Sequence, residues 1–178
     1  MPEVASARFS DPKAGTVAYV LKGFPRLSEM FIASEIYRLE QAGLPLRLYV
    51  IRPADEEKQH EVVARIKAKA EYLPPASSVS GTPALRWLKE NLPRFLPGLL
   101  RVCLHCPLGT ARAMLSVSAQ AIRARHSFWS LPHKVYLKEF LQATALADRL
   151  LGAKDVRHLH AHFCHSAATV TWLASKIT

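Results

Sequence analysis

One pattern near the start of the chain constrains the fold more than any other: an apolar run, a helical pattern and a second apolar run. Residues 16–22 are apolar without polar alternation, which is typical of a strand covered on both faces in a parallel sheet. From Ser28, apolar side chains recur at three- and four-residue spacing, which predicts a helix that ends at Gly43. Residues 46–52 predict a second strand. Residues 16–52 therefore predict a βαβ unit, whose right-handed crossover builds a parallel sheet.

The remainder of the chain predicts two further strands. A short helix over about residues 56–69 precedes a short strand around Glu71–Leu73. Residues 156–163 predict another strand, and Ser166–Ile177 predict a helix after it. The fold class that follows is α/β, with a Rossmann-like parallel sheet of which four strands are present.

A long and mostly helical segment, residues 84–152, separates the third and fourth predicted strands. We expect prolines to break its helices, because proline removes a backbone donor and clashes with the preceding turn. These prolines are Pro93, Pro97, Pro107 and Pro132. Residues 1–14 carry no periodicity and are predicted to be a flexible tail. We therefore expect one domain over residues 15–178, with residues 84–152 as a helical insertion.

The chain is strongly basic. Its 24 Lys and Arg against 14 Asp and Glu give a net charge of +10 and a pI near 9.9. This favours anionic partners, namely nucleic acid, phosphorylated small molecules or an acidic membrane surface. Basic and aromatic residues mix within residues 84–152, where ordinary amphipathic helices are one explanation and a surface that lies on anionic lipid is the other. A hydrophobic content of 49% excludes a disordered chain.

Cysteine usage and the N-terminus predict a reducing, cytoplasmic setting. The number of cysteines, three, is odd, and the first residues lack the basic start and apolar core of a signal peptide. No uninterrupted apolar stretch of the sequence reaches about 18 residues, so we do not expect a membrane-spanning helix. Attachment to a membrane surface stays open.

The stretch G-F-P-R-L-S-E-M-F-I, residues 23–32, is the first place where the sequence predicts chemistry. In an open α/β sheet, ligands bind beyond the carboxyl ends of the strands, where a glycine lets the backbone approach and the next helix offers free N–H groups. Gly23 and Ser28 are placed for this, with Ser28 expected to cap the helix. The stretch has one glycine and does not match the dinucleotide fingerprint G-x-G-x-x-G. A strand-to-helix turn without a ligand explains the same spacing.

The second place is H-L-H-A-H-F-C-H, residues 158–165. Three alternating histidines on a strand project to one face, about 6–7 Å apart. They are His158, His160 and His162. Two of them could share a metal, with Cys164 or His165 as a third ligand.

Against zinc, the sequence has no H-E-x-x-H motif, and Cys103-x-x-Cys106 has no second cysteine pair. The sequence therefore predicts no metal site, and a small metal-binding module is only a minor hypothesis. For each histidine, a hydrogen-bonded core or rim position is the simplest interpretation. The functional alternative is that His162, closest to the carboxyl end of the strand, faces a cleft and binds a sugar hydroxyl or phosphate.

The two stretches together resemble the family 4 glycosyltransferases of the GT-B type, in particular the bacterial exopolysaccharide and colanic-acid-type enzymes. The N-terminal domains of that family look like Y-V-x-x-x-F-P-x-L-S-E-T-F-I near the start and x-H-x-H-A-H-F before a helix. The corresponding residues here are Tyr19–Ile32, with Met30 in place of the usual threonine, and Leu159–Phe163. The resemblance covers residues 16–52 and 155–177.

The resemblance implies a Rossmann-like N-terminal half that receives the acceptor and a second half that holds a nucleotide-sugar. The implied reaction is retaining transfer of a sugar from a UDP- or GDP-sugar to a lipid-linked saccharide, in exopolysaccharide or cell-surface glycan synthesis. By resemblance, His162 is the catalytic, acceptor-side histidine. The implied substrate-binding residues are Gly23, Arg26, Ser28, Glu29 and His160. No metal and no cofactor are implied, since the nucleotide-sugar is a co-substrate.

The family continues with a T-x-H-A-x-D-like strand motif and a C-terminal E-x7-E pair that engages the donor, and the sequence up to Thr178 contains neither. We therefore expect an incomplete N-terminal domain of a GT-B fold that is inactive alone, because catalysis in a two-domain cleft needs positioning from both sides. The expected location is cytoplasmic, with peripheral attachment to the inner face of the plasma membrane left open. The alternative function is a basic nucleic-acid-binding module. Since no helix-turn-helix, RRM, KH or zinc-finger signature occurs, nucleic acid is not an expected partner.

Overall fold

The computed structural model of the protein describes residues 15–54, 59–124, 134–163 and 166–178. Several sequence predictions fall outside these residues. They are the tail at residues 1–14, the helix break at Pro132, and the further metal-ligand candidates Cys164 and His165.

Four parallel strands form one sheet within the described residues. They are β1 (Thr16–Phe24), β2 (Leu46–Pro53), β3 (Ala70–Tyr72) and β4 (Val156–Ala161). Their order in the sheet is β3-β2-β1-β4, so β1 is paired with β2 on one side and with β4 on the other. The predicted α/β class and the Rossmann-like parallel sheet are confirmed.

Five α-helices and two short 3₁₀-helices accompany the sheet in the part of the chain that is described. The α-helices are α1 (Met30–Gln41), α2 (Ala84–His105), α3 (Pro107–Arg123), α4 (Lys134–Gly152) and α5 (Ala167–Ile177). The 3₁₀-helices are Leu27–Glu29 and Glu61–Arg65. Since α1 connects the parallel strands β1 and β2, the predicted βαβ unit is confirmed.

Both faces of the sheet are covered, which explains why β1 is apolar without alternation. Ala18 and Val20 lie on the face covered by α2 to α5 and belong to the larger core. Tyr19 and Leu21 lie on the other face and pack with residues of α1 such as Ile36. The side chains of residues 18–21 on β1 are therefore removed from water on one face or the other, and each Å² of apolar surface buried this way contributes about 25 cal/mol.

The end of α1 follows the prediction. Gly43 has φ +83°, a left-handed conformation that glycine adopts without steric cost. Its N–H donates to the carbonyl of Glu40 at 3.0 Å, and the N–H of Leu44 donates to the carbonyl of Leu39 at 3.0 Å. This pair of hydrogen bonds is the Schellman motif, which satisfies the last carbonyls of a helix.

The predicted start of α1 is wrong. β1 continues past Gly23, which is paired with Arg52, so this glycine lies in the strand rather than in a turn. Ser28 lies inside the first 3₁₀-helix, and Glu29 occupies the N-cap position of α1 without a side-chain capping hydrogen bond. Arg26 donates through Nη1 to Oε1 of Glu29 at 2.5 Å. This ion pair spans the 3₁₀-helix and stabilises the connection from β1 to α1, where we expected a cap by Ser28.

Two of the predicted helix breaks are also wrong, because α2 runs through Pro93 and Pro97. An internal proline costs a helix about 3 kcal/mol. Burial of each large apolar side chain contributes about 1.5–3 kcal/mol in the other direction. The fully buried anchors of α2 are Trp87, Phe95 and Val102. At Pro107 the break is confirmed, since α3 begins there, where the missing N–H of proline costs nothing.

The helix predicted over about residues 56–69 is represented in the described residues only by the 3₁₀-helix Glu61–Arg65. Glu40 on α1 explains why the helix does not continue. Its carboxylate accepts hydrogen bonds from the backbone N–H groups of Lys67 at 2.9 Å and of Ala68 at 2.6 Å. These donors are satisfied by a tertiary contact instead of a helical one.

Helix α4 lies in the middle of the helical layer and contacts α2, α3 and α5. Its residues from Glu139 to Ala147 are all buried. Across the described ranges, no helix combines the length and the apolar content needed to cross a bilayer.

Candidate functional site

The carboxyl ends of β1 and β4 bring the two sequence stretches together. The strands are adjacent and parallel, with Tyr19 paired with His160. The chain leaves β1 toward α1 at this edge, and β4 ends at Ala161, immediately before His162. Phe31, in the first turn of α1, meets the imidazole of His162 edge-on at a centroid distance of 5.8 Å. The two stretches therefore share one site, at the edge where ligands bind in α/β sheets.

The three histidines lie on one face, as their alternation predicts. The ring centroids of His158 and His160 are 6.4 Å apart, and those of His160 and His162 are 4.7 Å apart. This is the face of Tyr19, whose ring lies 4.7 Å from that of His160. His158 is exposed, whereas the other two are partly buried, so the site is built from His160 and His162.

Glu35 on α1 supplies a carboxylate to this pair. The hydroxyl of Tyr19 donates to Oε1 of Glu35 at 2.5 Å. The other oxygen, Oε2, lies 3.5 Å from Nε2 of His162. One ligand atom from each of Glu35, His160 and His162 can be chosen so that all three lie within 4.8 Å of one another. We call these three side chains the carboxylate–histidine cluster.

Tyr19 remains a hydrogen-bond donor across the neutral pH range. Burial raises the pKa of Tyr19 well above its usual value near 10, and the hydrogen bond to Glu35 and the charge of that carboxylate raise it further. The phenol is therefore protonated, and its O–H fixes the position of the Glu35 carboxylate.

His160 is held in an environment that favours its neutral form. Burial lowers the pKa of His160 and the neighbouring His162 lowers it further, while Glu35 acts in the opposite direction. The Nε2 atoms of His160 and His162 are buried and make no hydrogen bond to any residue that the structure describes. Buried polar atoms normally have partners, so Nε2 of His160 is available to a ligand. Nε2 of His162 faces the Glu35 carboxylate at 3.5 Å, which is longer than a normal hydrogen bond, so it can also bind a ligand.

Two exposed aromatic rings stand beside the cluster. Phe31 and Phe163 meet edge-to-face at a centroid distance of 6.0 Å. Phe163 has φ +68°, a conformation that bulky residues rarely adopt. Such backbone strain persists only where the surroundings impose it, and it clusters at binding sites. The cluster thus has a polar interior beside an exposed apolar rim.

The other predicted site residues lie on or beside the connection from β1 to α1. Arg26 and Glu29 form the ion pair described above, and Ser28 is exposed. Gly23 lies near the end of β1, where an added Cβ would be 3.4 Å from Cδ of Arg26. That is an ordinary van der Waals distance, so space at this position does not require glycine. The structure brings His160 and His162 together. Phe31, which follows the β1–α1 connection, contacts His162.

A cleft of about 470 Å³ adjoins the start of α1. It is bounded by α1 and by the segment that precedes β3, and its lining mixes polar and apolar side chains. The residues include Met30, Ser34, His60 and Arg65. The cleft lies beside the 3₁₀-helix Leu27–Glu29, because a ring nitrogen of His60 is 3.2 Å from the carbonyl oxygen of Leu27.

Sequence reasoning missed Tyr19 and Glu35. Glu35 follows Phe31 by one helical turn, and it lies beside the buried positions Ile32 and Ile36 on α1. The sequence signal for Glu35 is therefore a carboxylate next to the core-facing positions of a helix. Tyr19 stands in an apolar run, where a phenol resembles an ordinary core residue.

The arrangement has three chemical capabilities. A histidine beside a carboxylate can transfer a proton to or from a hydroxyl group. Two imidazoles and a carboxylate can hold a transition-metal ion. Unpartnered ring nitrogens can also bind hydroxyl groups directly.

Comparison of the chain with protein-family models, with curated proteins and with solved structures found no match.

Proposed function

We propose that this chain is the acceptor-binding N-terminal portion of a retaining GT-B glycosyltransferase of family 4. The observation that supports this most is the contact of Phe31, from residues 23–32, with His162, which directly follows β4 at the carboxyl edge of the sheet. These are the two stretches that carry the family resemblance. The proposed reaction transfers a sugar from a UDP- or GDP-sugar to a lipid-linked saccharide, in exopolysaccharide or cell-surface glycan synthesis.

In this proposal His162 acts on the hydroxyl group of the acceptor. An imidazole accepts or donates a proton near neutral pH. Glu35, whose Oε2 is 3.5 Å from Nε2 of His162, is positioned to stabilise the protonated ring during transfer. His160 and the exposed aromatic rings bind the saccharide beside it.

Residues 23–29 form the other wall of the proposed acceptor site. Arg26 and Glu29 form an ion pair, and this contact fixes the positions of their polar atoms for hydrogen bonds to a sugar. Ser28 is exposed beside them. A second half supplies the nucleotide-sugar, and positioning by both halves is needed for turnover. We therefore expect the 178-residue chain alone to transfer no sugar.

The test is sugar transfer by the product of the whole reading frame that contains this chain, with UDP- and GDP-sugars and an extract of lipid-linked saccharides. We expect His162→Ala to lower kcat by about 10²–10⁴-fold, the range for a lost general acid or base. His158→Ala is the matched control, because His158 lies on β4, on the face that carries His160 and Tyr19, but is exposed. Equal effects of the two substitutions, or no transfer from either class of donor, would contradict the proposal.

We also propose that the protein is cytoplasmic and lies on the inner face of the plasma membrane, bound through α3. Leu108, Leu115 and Ile122 recur every seven residues along α3 and are 73%, 71% and 56% exposed. The opposite side of α3 carries the buried residues Ala113 and Val117. A continuous exposed apolar stripe marks an interaction surface.

Charge favours a lipid partner for this stripe. Arg112 and Arg123 lie beside the stripe on α3, and the helix contains no acidic residue. Basic side chains next to exposed leucines match the anionic headgroups of the cytoplasmic leaflet and the acyl chains below them. Binding through α3 brings the acceptor domain to a membrane that holds lipid-linked saccharides.

A further inference from the structure

We propose that Glu35, His160 and His162 bind one divalent transition-metal ion, with Zn²⁺ as the best fit. The proposed metal site does not require the glycosyltransferase function, because it follows from three side chains that the fold brings together. While a metal occupies Nε2 of His162, that nitrogen carries no proton, so the metal-bound chain is a different state from the one that transfers a proton in the proposal above. The sequence offered Cys164 or His165 as a third ligand, and both lie outside the described residues. Among the residues described, Glu35 on α1 offers the third ligand atom.

The distances between the ligand atoms suit a small cation. Ligands at about 2.0–2.2 Å from a tetrahedral Zn²⁺ lie about 3.3–3.6 Å from one another. Nε2 of His162 and Oε2 of Glu35 are already 3.5 Å apart. His160 completes a set whose ligand atoms all lie within 4.8 Å.

The unpartnered nitrogens are the second observation that points to a ligand. Nε2 of His160 and Nε2 of His162 are both buried, and neither has a hydrogen-bond partner among the residues described. The two rings belong to neighbouring positions on one face and meet at a centroid distance of 4.7 Å. A single cation between the two rings binds both nitrogens at once, whereas one hydrogen-bond donor satisfies only one of them.

Tyr19 orients the carboxylate ligand. Its hydroxyl donates a hydrogen bond to Oε1 of Glu35 at 2.5 Å, and the other carboxylate oxygen, Oε2, lies 3.5 Å from Nε2 of His162. Metal ligands are commonly held in place by such a hydrogen bond from a neighbouring residue. The Tyr19 ring also packs on His160 at 4.7 Å and so limits the orientation of that imidazole. The same side chain thus restrains two of the three ligands.

The donor set selects the class of metal. Two imidazoles and one carboxylate suit Zn²⁺ and its first-row neighbours. Ca²⁺ and Mg²⁺ need six or more oxygen ligands or bound waters and are poorly served by ring nitrogens. Three protein ligands leave a coordination position for water or for an oxygen of a bound ligand. The side chain of Glu35 is 39% exposed, so solvent reaches the cluster.

The test is Zn²⁺ titration of the chelator-treated chain by isothermal calorimetry, with Co²⁺ as a spectroscopic probe of coordination. We expect one ion per chain and the intense visible absorption of four-coordinate Co²⁺. Glu35→Gln retains an oxygen that accepts from Tyr19 but removes the charged ligand, so we expect affinity to fall at least about tenfold. His160→Ala and His162→Ala should abolish stoichiometric binding, and circular dichroism verifies that each variant is folded.

His158→Ala is the matched control, since it removes a histidine from the same strand face but outside the cluster. Unchanged affinity in this variant supports a defined site. An equal loss in His158→Ala and His162→Ala would instead indicate loose binding along the histidine strand and would overturn the proposal. Full affinity in Glu35→Gln, or no saturable binding in the wild-type chain, would overturn it as well.

Discussion

Gly109→Ala is expected to destabilise the protein, although alanine is the better helix former. Gly109 lies in the first turn of α3, where α3 packs against α5. A Cβ added there would overlap the carbonyl oxygen of Ile177 and would lie 2.8 Å from its carbonyl carbon and 2.9 Å from its Cα. These are backbone atoms of a residue whose side chain is buried, so relief of the overlap requires α3 and α5 to move apart.

Two opposing contributions set the change in the free energy of unfolding that we expect for Gly109→Ala. Replacing a helical glycine by alanine stabilises a helix by about 0.5–1 kcal/mol. Overpacking of a filled interface costs about 1–3 kcal/mol, and contact with backbone places this site in the upper part of that range. The net expectation is a loss of about 1–2 kcal/mol in the free energy of unfolding. For a chain of this length, each kcal/mol lowers the thermal midpoint by about 2–4 °C.

Urea denaturation followed by circular dichroism measures this change. Gly152→Ala is the matched control, because Gly152 ends α4 and an added Cβ there meets no atom within 4 Å. We expect the control to be unchanged or more stable by up to about 1 kcal/mol. A Gly109→Ala variant as stable as the wild type would refute the close approach of α3 and α5.

Three further predictions concern the cluster, the lipid surface and acid stability. Tyr19→Phe removes the hydrogen bond that orients the carboxylate ligand and should weaken Zn²⁺ binding by about 10–100-fold in calorimetry. Leu108→Ser combined with Leu115→Ser should abolish flotation with anionic vesicles at low salt, because the apolar stripe is lost. Hydrogen bonds from Thr16 and from an arginine of β2 lower the pKa of Asp155. The stability gained this way is present above the unfolded-state pKa, about 3.9, and is lost as the pH falls through the lower folded-state pKa. Asp155→Asn should therefore flatten the acid limb of stability against pH, measured by urea denaturation.

Each of these predictions has a result that contradicts it. Tyr72→Phe is the control for the phenol, because Tyr72 lies on β3, the edge strand farthest from β4, and donates to the carbonyl of Phe24 at 3.1 Å. Equal loss of Zn²⁺ affinity in both tyrosine variants would show that Tyr19 has no specific role. Flotation of the double serine variant with anionic vesicles at wild-type levels would remove α3 as the lipid surface. Parallel pH curves for the wild type and Asp155→Asn would exclude Asp155 as the titrating group.

The sheet could be predicted because its signals are local. Residues 18–21 and 48–51 are buried on two faces, and this condition requires continuous apolar runs that the sequence displays directly. Gly43 marks the end of α1 because only a residue tolerant of positive φ closes a helix in that way. These features depend on a few neighbouring residues, so they are visible without the fold.

Other features depend on contacts between distant residues. Helix α2 continues through its internal prolines because its apolar anchors are buried by α4 and the rest of the larger core. The segment before β3 leaves its helical pattern because Glu40 binds its backbone. Ser28 has the residue type of a helix cap, yet the Arg26–Glu29 ion pair organises the turn instead. Local propensity is overridden wherever a tertiary contact contributes more free energy.

By itself, the sequence determined the α/β class, the parallel sheet and the common face of the three histidines, since apolar runs and period-two alternation are properties of adjacent residues. Only the tertiary structure decided that Tyr19 and Glu35 meet His160 and His162. That meeting requires β1 to pair with β4 in one register and α1 to lie on the sheet with Glu35 turned toward the histidines. Both are set by the packing of the whole domain, which no local pattern in the sequence encodes.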